Sequence, residues 1–368
     1  MKLSSEDLIN FLANLATLSA FTFVPLWGKE LGLTDPEIAA MATLYALIAF
    51  SSGLITGRLS DKFANRKLFI IFGSITAMIT ISGLLIPDKT WFTISRIMTG
   101  LGFGALAPSL VALVSDKGEK IGNFSSFGSL GWASGVLISG VLGLFWIPAI
   151  FIFGILALGG ATILAFSIRE ESRFLGGSPK KNFSNESFFE VFWHRKSAYL
   201  TLGIRHSFAQ SIWTFWPLFL LSLGANTFWI AIIQTTNALT QFTIMQYYTD
   251  KIPSKFMMYL GLSFSAISFF SFTLATDFWG IIPTQIILGI SWAFTYVGTL
   301  RYSVEKSDFD KSSSAGILTS TMAISGIFGP LIALTIIGLG GGYVQIMIIA
   351  AVVTVVTLLG FWLSQHIS

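Results

Sequence analysis

The sequence predicts an all-α integral membrane protein, with twelve transmembrane helices in two pseudo-symmetric six-helix bundles. Three observations carry this. Of 368 residues, 53% are hydrophobic and 11% charged, with a mean hydropathy of +0.75. A soluble chain of that length needs far more charge to cover its surface, whereas about 20 apolar residues cross a bilayer as a helix. Apolar runs of that length recur along the whole chain between short polar breaks. Cations gather in alternate breaks, the pattern left when positive charge is retained in the cytoplasm during insertion.

The runs lie at about 7–31, 36–57, 68–86, 90–114, 121–143 and 147–168, then at about 197–223, 227–249, 256–276, 279–301, 313–337 and 342–364. The first exceeds the roughly 7–15 apolar residues of a cleavable signal, so it reads as the first span. Asp35, Pro36 and Glu37 mark the start of the second. Proline suits a first helical turn, and acids suit the positive end of the helix dipole.

With the N-terminus placed in the cytoplasm, all but four of the 22 Lys and Arg fall inside. Lys29 and Lys89 fall outside, while Arg96 and Arg205 lie within spans. An odd number of helices would scramble this order, so both termini are expected inside and the protein in the plasma membrane. The densest break is 57–67, where Arg58, Lys62, Arg66 and Lys67 surround one acid, Asp61. The net charge of +4 is thereby explained by topology, without nucleic acid. The chain has no cysteine, which excludes a disulfide framework and a thiolate metal site. Its three histidines, His194, His206 and His366, are far apart in sequence. No metal, cofactor or catalytic residue is therefore expected, and an enzyme is disfavoured. Expected partners are a small-molecule substrate, a coupling proton or other ion, and the bilayer around a monomer.

A polar stretch at 169–196 divides a first bundle, 1–168, from a second, 197–368. Its aromatics Phe188, Phe189, Phe192 and Trp193 fit either a short amphipathic helix at the inner interface or an irregular loop. The halves repeat one another. Pro25-Leu26 and Leu31-Gly32 recur as Pro217-Leu218 and Leu223-Gly224. Asp61-Lys62 and Arg66 recur as Asp250-Lys251 and Lys255, Gly100 as Gly289, and Gly122 with Gly135 as Gly316 with Gly329. Parallel repeats of this kind place a binding site between the halves near mid-membrane.

These residues resemble the major facilitator superfamily of secondary transporters. The family's loop between helices two and three is similar to Gly-x-x-x-Asp-(Arg/Lys)-x-Gly-x-(Arg/Lys)-(Arg/Lys). Gly57, Asp61, Lys62, Arg66 and Lys67 match it, with Ala64 in place of the second glycine. Arg96, Gly100, Gly102 and Gly104 are similar to the fourth-helix motif. Gly122, Gly131, Gly135 and Gly140 follow the fifth-helix motif associated with antiporters, with Val136 and Ser139 where that motif has a proline and a glycine. The resemblance implies the superfamily fold.

Asp61, near a helix end at the inner face, suits a latch that accepts hydrogen bonds from a helix N-terminus of the opposite half. Arg66 is expected to pair with Asp116, and Asp250 and Lys251 repeat the device; the alternative is that these charges only enforce topology. Gly131, Gly135 and Gly329 are assigned to helix packing.

Ionisable groups within spans are costly and usually face a cavity. Arg205 leads, roughly 12 Å from the inner end at about 1.5 Å per residue, either meeting substrate or pairing with a polar neighbour. His206 beside it suits a structural role or a proton relay. Arg96, nearer the outer surface, either lines the pathway or reaches headgroups. Gln234, Asn237 and Gln241 form one stripe on the eighth span, to line a cavity or bond a neighbouring helix. Asn10, Asn14 and Thr17 do the same on the first, and Gln210, Trp292 and Tyr296 complete the pathway. No acid lies securely in the middle of a span, so the cavity suits an anionic or neutral solute better than a cation. The expected function is alternating-access transport of a small organic solute, with efflux favoured over uptake of an organic anion, sugar or similar metabolite. A nontransporting membrane sensor is the remote alternative.

Overall fold

The computed structural model describes residues 4–63, 65–117, 121–168, 188–304 and 311–366. Within these, the side chains at 18–20, 61, 115–116, 121–123, 125–126, 188–189, 191, 250, 304 and 311–315 lie outside the description. Twelve long helices correspond to the twelve apolar runs. They are α1 (Ser5–Glu30), α2 (Asp35–Phe63), α3 (Arg66–Gly83), α4 (Lys89–Asp116), α5 (Ile121–Phe145), α6 (Pro148–Ser167), α8 (Lys196–Ser222), α9 (Thr227–Tyr247), α10 (Ser254–Phe272), α11 (Ile281–Val304), α12 (Lys311–Gly338) and α13 (Tyr343–Ser364). The linker aromatics form a short helix, α7 (Phe188–His194). There is no strand among the described residues.

Among the described residues, ten helices are long and apolar enough to cross a membrane by length and composition. α8 and α9, of 27 and 21 residues, have the length but carry the polar side chains named above.

The charged stretch at 57–67 is mostly helix rather than loop. α2 continues to Phe63, and α3 opens at Arg66 with Asn65 as its cap, whose side chain accepts from Leu68 N at 2.8 Å. Long cationic side chains at a helix end reach the interface by their own length, so charge alone does not stop the helix.

The chain divides into two compact units, Met1–Gly176 with Ala225–Thr235, and Gly177–Gly224 with Thr236–Ser368. Each is internally built on one plan. In the first, α1 packs on α5 and α6, and α3 on α4 and α6; in the second, α8 packs on α12 and α13, and α10 on α11 and α13.

Small residues set these approaches. A Cβ on Gly100 of α4 would meet the backbone of Tyr45 and Ala49 on α2, and one on Gly289 of α11 would meet Asn237 and Thr240 on α9. Gly131 and Gly135 of α5 lie against the α1 backbone at Phe11 and Leu15. Gly329 of α12 lies against Gln210 of α8, and Ser325 donates to Gly203 O at 3.0 Å on the same helix. Lipid-solvated helices gain little from apolar burial against each other, so close backbone approach supplies the attraction.

The repeat extends to the turns. Pro25 and Pro217 lie inside α1 and α8, and the glycines that follow those helices, Gly32 and Gly224, have φ of 86° and 85°. An L residue with a side chain adopts that region at a cost, which glycine avoids.

Candidate substrate site

The two intramembrane arginines head two different clusters. In the first unit, α4 places Arg96 against Phe21 of α1 and Tyr45 of α2. Its Cζ lies 4.4 Å and 3.9 Å from the two ring centroids. The rings are themselves edge to face, 5.3 Å apart at 71°, so the guanidinium sits in a corner. Arg96 is 3% exposed, and its Nη1 is buried with no hydrogen-bond partner among the described residues. An arginine within a span costs about 2.5–3.5 kcal/mol on insertion scales. The buried Tyr45 face, at about 2 kcal/mol, and the part-exposed Phe21 face, at about 0.5–1 kcal/mol, offset part of that cost. They leave the in-plane donor at Nη1 unmet.

In the second unit, Arg205 of α8 is 2% exposed and two of its nitrogens donate to side chains. Nε donates to Ser265 Oγ of α10 at 2.8 Å, and Nη2 to Ser291 Oγ of α11 at 3.3 Å. The two serines bond each other, and Ser291 Oγ donates to Gly261 O at 2.9 Å. Gly261 lies against Ser291 and Thr295, which lets α10 and α11 close on the arginine. Phe269 and Trp292 complete its surroundings, 5.4 and 5.3 Å from Cζ to ring centroid. Of the two roles open to Arg205 in the sequence, the geometry is that of pairing with polar neighbours.

His206 stacks on Trp292 at 4.8 Å and 25°, and Trp292 on Tyr296 at 5.6 Å and 25°. The Gln210 amide nitrogen lies 3.2 Å from His206 Nε2, and the other ring nitrogen, Nδ1, is buried without a partner among the described residues. His206, Gln210, Trp292 and Tyr296 therefore form one partly buried patch from α8 and α11.

The amide stripe of α9 bonds to neighbours. Within the first unit, Thr22 Oγ1 donates to Gln234 Oε1 at 3.1 Å; within the second, Asn237 Nδ2 donates to Gln285 O at 3.1 Å and Gln241 donates to Asn237. On α1, Asn10 donates to Phe124 O of α5 at 2.7 Å, and Asn14 to Asn10 Oδ1 at 2.8 Å.

The side chains of Asp61, Asp116 and Asp250 lie outside the described residues. Around them, Arg66 Nη1 donates to Ser60 Oγ at 3.0 Å, and Lys67 Nζ to Phe166 O and Ile168 O, the end of α6, at 2.7 and 2.9 Å. Gly57 has open space where a Cβ would stand, Lys62 is exposed, and Lys251 lies 5.7 Å from the Tyr248 ring. In the second unit Arg301, near the end of α11, donates to Thr249 O and Ile252 O at 2.6 and 3.3 Å, tying down the turn after α9.

Sequence reasoning missed Phe21, Tyr45, Ser265 and Ser291. It also missed the pairing of both outer cations, Lys29 with Asp35 and Lys89 with Glu37 at 2.8 Å, and of Lys117 with buried Glu6. Glu37 and Lys89 begin helices α2 and α4, a signal that could have paired them.

The family pattern of the Major Facilitator Superfamily matches residues 8–315. The chain belongs to that superfamily. It is 30% identical over 162 residues to the niacin transporter NiaP of Acinetobacter baylyi, covering 36% of this chain and 37% of the relative. It is 29% identical over 155 residues to the multi-drug resistance efflux pump PmrA of Streptococcus pneumoniae, covering 39% and 38%. It is 23% identical over 171 residues to the probable sulfoacetate transporter SauU of Cupriavidus necator, covering 44% and 40%. The chain thus spans less than half the length of these relatives. Among solved structures, the nucleoside transporter NupG superposes with a TM-score of 0.78 at 13% identity, over 97% of both chains. A bacterial homolog of the human lysosomal transporter Spinster gives 0.73 at 16%, over 98% of this chain and 96% of that one. Both show the fold.

Proposed function

We propose that this superfamily member is a secondary active transporter that moves a small organic solute across the plasma membrane by alternating access, with both termini cytoplasmic. The observation that carries the reading is Arg96. A buried intramembrane cation whose Nη1 has no acceptor among the described residues marks a functional site by its cost, and a passing solute supplies the missing acceptor. Outward transport is the direction the fifth-helix glycines support, and an efflux pump is among the relatives. A second reading, uptake of an organic anion, is favoured by Arg96 itself and by the niacin and sulfoacetate carriers. Arg205, His206, Gln210, Trp292 and Tyr296 supply the polar and aromatic groups of the second unit, and His206 is the candidate for a coupling proton.

The α2–α3 corner, with Asp61, Arg66 and Asp116, acts as a latch on one conformation. Asp61→Asn is expected to shift the inward-to-outward balance more than substrate affinity. Distance measurements between paired labels check this, and an unchanged distribution contradicts it. Reconstitution tests the transport reading: saturable flux of a solute in proteoliposomes, with and without a pH gradient, supports it. Absence of flux for every metabolite and drug screened contradicts it.

A further inference from the structure

We propose that Arg96 anchors a site for a small organic anion, built within the first unit from α1, α2 and α4. The proposal rests on the transport reading above and names its solute class. Phe21 and Tyr45 position the guanidinium by their ring faces, at 4.4 and 3.9 Å. Ring faces attract the charge but leave Nη1 without an acceptor, in a residue that is 97% buried by its 3% exposure. A guanidinium fork held by its faces, with a buried Nη1 left unmet, suits the oxygens of a planar head, a carboxylate or sulfonate, that reaches it.

The two acids that open α2 are committed elsewhere. Glu37 holds Lys89 at 2.8 Å and accepts from Thr34 N at 2.7 Å, and Asp35 pairs with Lys29. Nothing described beside Arg96 would neutralise a cationic solute, which the arginine would repel. Of the two rings, Phe21 is 42% exposed while Tyr45 is buried, so the α1 side of the corner is the less covered one. A flat ring carried by the solute would find the Phe21 face next to the fork. Arg205 of the second unit differs, because its Nε and Nη2 already reach Ser265 and Ser291.

The test is ligand-dependent thermal stabilisation of the purified full chain in neutral detergent. Benzoate, nicotinate and sulfoacetate are the probes, with benzamide and nicotinamide as uncharged twins of the first two. At least one acid is expected to raise the unfolding midpoint where its amide does not. Arg96→Gln should lose that shift while eluting as the wild type does, and Arg96→Lys, which keeps the charge without the fork, should bind about tenfold more weakly. No shift from any acid at about 10 mM overturns the proposal, as does an equal shift by the amides or a shift kept in Arg96→Gln. An Arg96-dependent shift from phosphatidylglycerol in nanodiscs, with none from the soluble acids, also overturns it, assigning the arginine to a lipid headgroup. If wild type and Arg96→Gln carry neutral or cationic solutes equally in proteoliposomes, the anion site fails and the transport reading stands. If wild type carries nothing, the transport reading itself fails.

Discussion

Arg96 and Arg205 sit in halves built on the same helix plan and are equally buried, yet one is held by two rings and the other by two rings and two serines. The difference separates two reasons for keeping a cation in a membrane. Arg205 ties α8 to α10 and α11 through two hydrogen bonds, which is what a structural cross-link needs. Arg96 is positioned with Nη1 left unmet among the described residues, which is what a ligand anchor needs. Position in a span does not distinguish these roles; the fate of each N–H does.

The largest effect that would break this contrast is at Arg205. Arg205→Met removes two charge-assisted hydrogen bonds and leaves the serine pair to re-form alone, so thermal unfolding should show a loss of about 3 kcal/mol. A stability equal to wild type would mean the cross-link carries nothing. Next come the helix contacts shared by the halves: Gly135→Val and Gly329→Val should each cost about 1–3 kcal/mol or more, since the added atoms meet the backbone of α1 and Gln210 of α8. A loss in one half only would refute the common plan. Gly32→Ala and Gly224→Ala should each cost about 1–2 kcal/mol, and by nearly equal amounts, because both glycines hold the same positive φ. Ser325→Ala, which removes one hydroxyl shared between Gly203 O and Thr321 O, should cost about 1 kcal/mol, the smallest of the set.

Much of the fold was legible because membranes leave few options. Each apolar run had to become a helix, and paired residues such as Gly100 with Gly289 or Leu31-Gly32 with Leu223-Gly224 reported backbone requirements that only small residues satisfy. The end of α2 was misread, since 57–67 looks like a loop by charge while the only signal for its true break is Asn65 capping α3. The site was legible as a set of residues and not as a set of partnerships. Arg205 announces itself as a buried cation, but Ser265 and Ser291 stand 60 and 86 residues away, and nothing in a serine-containing apolar run marks which hydroxyl turns inward. Tyr45 and Phe21 were hidden for a similar reason: in a chain with 35 Phe and 8 Tyr, an aromatic residue in a span carries no signal until its neighbour is known.

The contrast between the two arginines reduces to a sign that needs no substrate. The unfolding midpoint of ligand-free Arg96→Met, measured beside Arg205→Met in the same detergent, should stay at or rise above the wild-type value while that of Arg205→Met falls, because removing an unmet buried donor relieves a cost and removing a satisfied one creates it. A fall for Arg96→Met as large as that for Arg205→Met would make Arg96 a structural residue and contradict the account.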